Sequence, residues 1–538
     1  MKTGKTVLKN GKIFTERGHF VTALCIEDGL VSKIGPEAEA EAGNAATVLD
    51  LRGKTVVPGF NDSHMHLLKC GFALRQAELY GLTSIADVIA VCRAFRAKHP
   101  EIRLISGRGW NQDYFTDENR LLTRDDLDRI ATDIPIILTR ACGHVAAVNS
   151  KAMEMLDIGG SFVVASGGEV GVTNGRANGL LFETAAGQVA GLLAEPLTGE
   201  SVCAVLKDIA AVANAQGITS VSTNDITVGS PTGEAIEAGF LLYEKRDPTL
   251  RINHQMSFES PAKFRERIAS GYDKSGNPAF HRYGPLKLFA DGSLGARTAL
   301  LRAPYHDDPS TSGVAVLTPA EIAEYTKIAD ENQIQCMIHG IGNLALDRIM
   351  DAYENLTEGG ENPLRHGMIH VQITDPAQLE RIARLRIPVA VQPVFLHYDL
   401  HMAEDRVGKV LASTSYAFRT MLDSGIHAGY GSDSPVEPFN PFHCIHCAVN
   451  RQDLKGLPAG GWYPAERVSV EDAVAAYTTE SAFTTFAEGV KGKLLPGYYA
   501  DLVVLSADIF TVAAEAIKDI RADMTVVGGN IVYTAPKN

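Results

Sequence analysis

The chain has 538 residues, 45% hydrophobic and 21% charged, with a formal net charge of −14. That length exceeds one simple core and predicts two or more structural units. The acidic balance argues against a nucleic-acid partner, which would call for a basic patch or stripe, and no apolar stretch reaches the roughly 20 residues that cross a bilayer.

The first twenty residues, "MKTGKTVLKNGKIFTERGHF", carry Lys and Glu where a signal peptide needs its apolar segment. Eight cysteines lie scattered in apolar segments without a regular framework, the pattern of reduced, mostly buried thiols in a cytoplasmic protein. Cys142, Cys336 and Cys447 accordingly read as packing residues rather than nucleophiles.

Residues 1–55 read as short strands and turns. "TVLKNGKIFT" and "ALCIEDGLVSKIG" set Asn-Gly and Asp-Gly between apolar runs, a hairpin signal. The far end is similar, with "GKLLPGYYADLVVLSADI" and "ADMTVVGGNIVYT" as short β runs. Both ends being β-rich, residues 1–55 and 488–538 are expected to meet in one small β domain.

Between them, over 56–487, strand-like runs alternate with helix-length segments, the signature of βα units around a parallel sheet. Eight runs qualify as barrel strands: "VVPGFNDSH", "GITSVSTND", "RINHQMSF", "LKLFADG", "IQCMIHGIG", "RHGMIHVQ", "IPVAVQP" and "IHAGYGSD". A helix is predicted over "TPAEIAEYTKIADENQ", with Thr318 and Glu321 as a capping box. An α/β fold, an eight-stranded βα barrel, is the economical reading. One interval does not fit. About 150 residues separate His66 from the second strand, several times a usual βα connection. With its own strand-like runs, residues 75–210 or thereabouts read as an inserted lobe over the barrel mouth.

The polar residues at the strand ends are His64 and His66, Asn224 and Asp225, Lys287, His339, His370, Gln392 and Asp433. The carboxyl ends of barrel strands share one face, so these distant residues converge. Each alone reads as a core histidine, a turn residue or a surface lysine. Together, four imidazoles and a carboxylate on one face suit a borderline divalent metal, Zn²⁺ first.

"PGFNDSHMH" resembles the opening metal motif of the amidohydrolase superfamily. "KLFADGSLGARTA", "HGIGNLALDRI", "RHGMIHVQ", "GYGSDSPVEPFNPF" and "GKLLPGYYADLVVL" together resemble its amidohydrolase type 3 branch, which includes N-substituted formamide deformylase. The likeness runs from about residue 5 to 535. It implies a metal-dependent hydrolase of C–N bonds, built as a distorted TIM barrel with a β-sandwich formed by both chain ends. By the same resemblance His64, His66 and Asp433 bind one metal and His339 and His370 a second, with Lys287 bridging as a carbamate formed with CO₂. Asp433 also serves as general acid and base. Two positions depart from the branch: Ile369 stands where relatives often have Glu, and Asn343 where "HAIGD" is common. Both fall where side chains that orient ligands are expected, so one metal or two stays open.

Trp110 and Asn111 in "GRGWNQDYF", His144 in "CGHVAAVNS", Glu183 in "LLFETA" and Arg297 in "DGSLGARTA" are candidate contacts to a small-molecule substrate. Arg297 could hold a carboxylate or carbonyl. The substrate class is an amide, a formamide or a cyclic amide. Two other readings stand beside it: a one-metal deaminase of an aromatic or heterocyclic amine, and a non-catalytic binding protein that keeps the barrel. Large barrel hydrolases often pair, so a homodimer is the expected assembly.

Overall fold

Eight largely buried segments form parallel strands: β1 Phe60–Met65, β2 Ile218–Thr223, β3 Arg251–Phe258, β4 His281–Phe289, β5 Cys336–Gly340, β6 Gly367–His370, β7 Val389–Val391 and β8 Ala428–Tyr430. Each pairs with the next in chain order. Just past β8, Asp433 N–H donates to His64 O and His66 N–H to Ser434 O, both at 2.8 Å. Those bonds join the last strand's end to the first and close the ring. This is the barrel expected from the sequence, here in a computed structural model that describes residues 4–356 and 360–536. The predicted capping box is formed: helix Pro319–Glu331 begins with Thr318 and Glu321 exchanging side-chain to backbone bonds.

The chain divides into two units, Met1–Cys70 with Thr198–Asn538, and Gly71–Leu197. In the first, both chain ends build two further sheets. One contains Thr6–Lys9, Leu24–Glu27, Leu30–Ile34 and Thr47–Asp50; the other contains Lys12–Glu16, His19–Val21, Thr55–Pro58, Leu502–Leu505, Ala522–Val527 and Asn530–Thr534. Leu8, Leu24 and Ile26 from one and Ile13, Val56, Leu502 and Val526 from the other share a core, which makes the pair a sandwich. Asp28-Gly29 turns a hairpin as expected, with φ of 52° and 81°. Asn10-Gly11 does not, since the strands on either side of it lie in different sheets. A Cβ on Gly11 would lie 2.4 Å from Leu51 Cδ1, so glycine serves close packing there rather than a hairpin turn.

The expected first barrel strand is in fact two strands. Thr55–Pro58 pairs with Leu502–Leu505 and Lys12–Glu16 in the sandwich, and β1 begins after Gly59. A Cβ on Gly59 would meet Thr219 Oγ1 at 2.2 Å and its Cβ at 2.8 Å, so rotating the threonine does not relieve the clash. Gly59→Ala is expected to destabilise by about 1–3 kcal/mol through overpacking. A thermal melt checks this, and an unchanged Tm would contradict it.

The lobe begins earlier and ends earlier than expected. Helix Gly199–Ala215 belongs to the barrel unit, where its buried face (Val202, Leu206, Ile209) packs near helix Gly233–Tyr243 and β2. The lobe itself carries a six-stranded sheet and the helix Ile85–Lys98 around its own core. Seven cysteines are buried and all eight are free. Cys142, expected to be a packing residue, is instead exposed. No helix among the described residues is long and apolar enough to cross a membrane.

Candidate metal centre

Strand alternation places His64 and His66 on one side of the chain at the end of β1. Their rings are then fixed by what each Nδ1 touches. His64 Nδ1 lies 2.5 Å from Gln255 Oε1, His66 Nδ1 lies 2.7 Å from the Asn224 carbonyl, and His370 Nδ1 lies 2.7 Å from Gln392 Oε1. The two amides are themselves oriented, because Gln255 Nε2 donates to Ser63 O and Gln392 Nε2 to Ala390 O. A carbonyl oxygen only accepts, so each Nδ1 carries the hydrogen and each Nε2 keeps a bare lone pair.

Those lone pairs converge on Asp433. Its Oδ1 lies 3.3 Å from His64 Nε2 and 3.4 Å from His66 Nε2. The same Oδ1 is buried and has no hydrogen-bond partner among the described residues. Ligand atoms of His64, His370 and Asp433 lie within 4.8 Å of one another. Facing lone pairs repel unless a cation lies among them, and an N₂O donor set of this kind fits a divalent metal. Burial, with Lys287 nearby, pushes the His64 imidazole well below its ordinary pKa, and burial does the same to His370. Both are thereby kept neutral, the form that ligates. Burial disfavours the Asp433 carboxylate, but the imidazoles of His66, His64 and His370 around it outweigh burial and hold its pKa below the usual carboxylate range.

Lys287 is buried at the end of β4 rather than on the surface. Its Nζ lies 3.2 Å from His64 Nε2, and burial lowers its pKa to about 7. The His339 ring centroid is 4.5 Å from that of His370. Its Nε2 lies 3.0 Å from the Gly292 carbonyl, so His339 has the opposite tautomer and offers Nδ1. All six residues expected to share the site are therefore neighbours. Backbone strain accompanies them, with φ of 79° at His370, 47° at Val371 and 55° at Asp433. Such conformations concentrate at functional sites, where the surrounding fold enforces them.

Gln255 and Asp291 were missed in the sequence. Along β3, Arg251, Asn253, Gln255 and Ser257 alternate with Ile252, Met256 and Phe258, and that polar side was the available signal for Gln255. Asp291 is buried, accepts N–H bonds from Leu300, Ile341 and Gly342, and lies 3.4 Å from His339 Nε2. Ile369 packs with Met337 and Ala390, and Asn343 Oδ1 accepts from Arg302 N–H. Gln392→Leu removes the acceptor that fixes the His370 tautomer. It is expected to weaken metal affinity about 10–100-fold, measured by competition with a chelating dye.

The other candidates are placed differently. Trp110 is fully buried in the lobe core, its indole N–H donating to Leu138 O at 3.0 Å. Asn111 Oδ1 accepts from Asp113 N–H and Arg140 Nη2. His144 and Glu183 form an exposed pair at 2.8 Å. Arg297 is bidentate on Asp307 at 3.1 and 2.9 Å, and Arg406 pairs with the same carboxylate. The guanidinium expected to clamp a substrate is thus taken up within the protein.

A closed βα barrel with oriented imidazoles and an aspartate at the strand ends defines a metal-dependent hydrolase. Residues 47–533 match the model of the amidohydrolase family. The chain is 32% identical to the Bacillus subtilis protein YtcJ over 98% of its length and 99% of that protein's. It is 25% identical to the N-substituted formamide deformylase of Arthrobacter pascens, over 97% of each chain. The crystal structure of an uncharacterized metal-dependent hydrolase from Pyrococcus horikoshii superposes with a TM-score of 0.76 at 29% identity, covering 95% of this chain and 99% of that one. The chain belongs to the amidohydrolase family, in its type 3 branch, and is a C–N hydrolase.

Proposed function

We propose that the enzyme hydrolyses the C–N bond of a small amide, formamide or cyclic amide at this centre. The observation that carries the reading is the set of Nε2 lone pairs, held by Gln255, Asn224 and Gln392, that face a buried Asp433 oxygen without a donor. His64, His66 and Asp433 would hold one cation, Zn²⁺ first, and His339 and His370 a second. A bound divalent cation polarises a carbonyl and lowers the pKa of coordinated water from 15.7 to about 7.

Lys287 fits as a ligand only once modified, since an ammonium repels a cation and offers no lone pair. With a pKa near 7, its neutral amine is available to add to CO₂, releasing a proton and leaving an anionic carbamate with two ligand oxygens. The Asp433 carboxylate accepts the proton of the attacking water and returns it to the leaving nitrogen, which departs as an amine. The resemblance to the formamide deformylase favours an acyclic amide.

The test is metal analysis of the purified protein combined with amine release from N-formyl amines, acyl amino acids and cyclic amides. The expected result is activity on one class, lost with a chelator and restored by Zn²⁺. Ammonia release from a heterocyclic amine, with no turnover of amides, would replace hydrolysis of amides by deamination. Purification without chelators that yields no metal would remove the reading altogether.

A further inference from the structure

The end of the barrel opposite the metal centre holds a second polar space. A cavity of about 460 Å³ opens at the amino-terminal ends of β2, β3 and β4, lined among others by Ser220, Arg251, Asp273, Arg282, Lys491 and Tyr499. None of these belongs to the metal centre, and the volume lies in the range of small-molecule sites, about 300–1,000 Å³. Its charges are unevenly matched. Arg251 is buried and bidentate on Asp501 at 2.6 and 2.9 Å, its guanidinium 3.8 Å from the Tyr499 ring centroid. The Asp501 charge is thereby satisfied, with Gly528 N–H as a further donor at 2.8 Å. Asp273 accepts from Ser275 N–H at 2.8 Å.

Two cations have no such partner. The buried Lys491 donates from Nζ to the Ser220 hydroxyl at 2.5 Å, and Arg282 donates to the Thr485 carbonyl at 3.2 Å. Neither forms an ion pair with a carboxylate among the described residues. The carboxylate acting on the Lys491 ammonium, Asp501, is already engaged by Arg251, so the buried ammonium has no counter-charge of its own. Burial, reinforced by Arg251 and only partly opposed by Asp501, brings the Lys491 pKa down to about 7. A ligand that supplies a negative charge would satisfy Lys491 and Arg282 together.

We propose that this cavity binds a small oxyanion, the phosphate or carboxylate group of a metabolite, held by the Lys491 ammonium and the Arg282 guanidinium. The site is separate from the chemistry assigned above and does not depend on it.

Isothermal titration of the full-length, metal-loaded protein with inorganic phosphate, and in a second arm with malonate, tests this. Saturable binding is expected in at least one arm, weakened about tenfold or more in Arg282→Gln and in Lys491→Met, with metal content unchanged in Arg282→Gln. Phosphate alone binding identifies a phosphoryl group, malonate alone a carboxylate, and both a general oxyanion site. Arg282 is exposed, so its variant answers the question even where Lys491→Met fails to fold. Silence in both arms, or binding unaltered in Arg282→Gln as a metal-bound anion would give, overturns the proposal.

Discussion

Asp433→Asn is expected to lower kcat by about 10²–10⁴-fold while the metal content stays near that of the wild type. Asparagine keeps the shape and one carbonyl oxygen at a position 3.3 and 3.4 Å from the two Nε2 atoms, but it cannot accept a proton. Elemental analysis and steady-state kinetics on the same preparation separate the two roles. Full activity would refute the acid–base assignment. Loss of metal in parallel with activity would reduce Asp433 to a ligand.

Lys287→Ala is expected to lose about two orders of magnitude in turnover or more, the scale of several kcal/mol of lost charge stabilisation. The substitution removes a buried side chain and leaves room for a small carboxylate. Added propionate should therefore restore part of the activity of Lys287→Ala and none of Lys287→Arg, whose guanidinium fills the space and cannot be deprotonated. Reconstitution of the wild type in CO₂-free buffer should be slow until bicarbonate is added. Indifference to both propionate and bicarbonate would leave Lys287 a simple amine.

Much of the barrel is legible in the chain because parallel strands buried on both faces must read as apolar runs. The polar residues that interrupt those runs are then forced to the strand ends, which is why His64, His339, His370 and Asp433 could be picked out. What could not be read depends on contacts between distant segments. Gln255 looks like any polar residue of a half-buried strand until His64 Nδ1 is seen beside it. Asn10-Gly11 has the composition of a hairpin, and only the pairing of its two strands with distant segments shows that they part into different sheets, Gly11 packing closely on Leu51. Arg297 reads as a candidate substrate contact because nothing in the spacing of Asp307 and Arg406 marks their pairing with it. Trp110 carried no signal to distinguish a core residue from a pocket wall.

The two main-chain bonds that tie Asp433 and Ser434 to His64 and His66 have a thermodynamic corollary. Docking the last strand against the first and bringing Asp433 to His64 and His66 are one event, so a chain still open at that seam lacks this donor set. Ion uptake at His64, His66 and Asp433 should therefore report completed assembly, and loading that site at 100 times Kd should favour the finished cylinder by about 2.7 kcal/mol over any unzipped form.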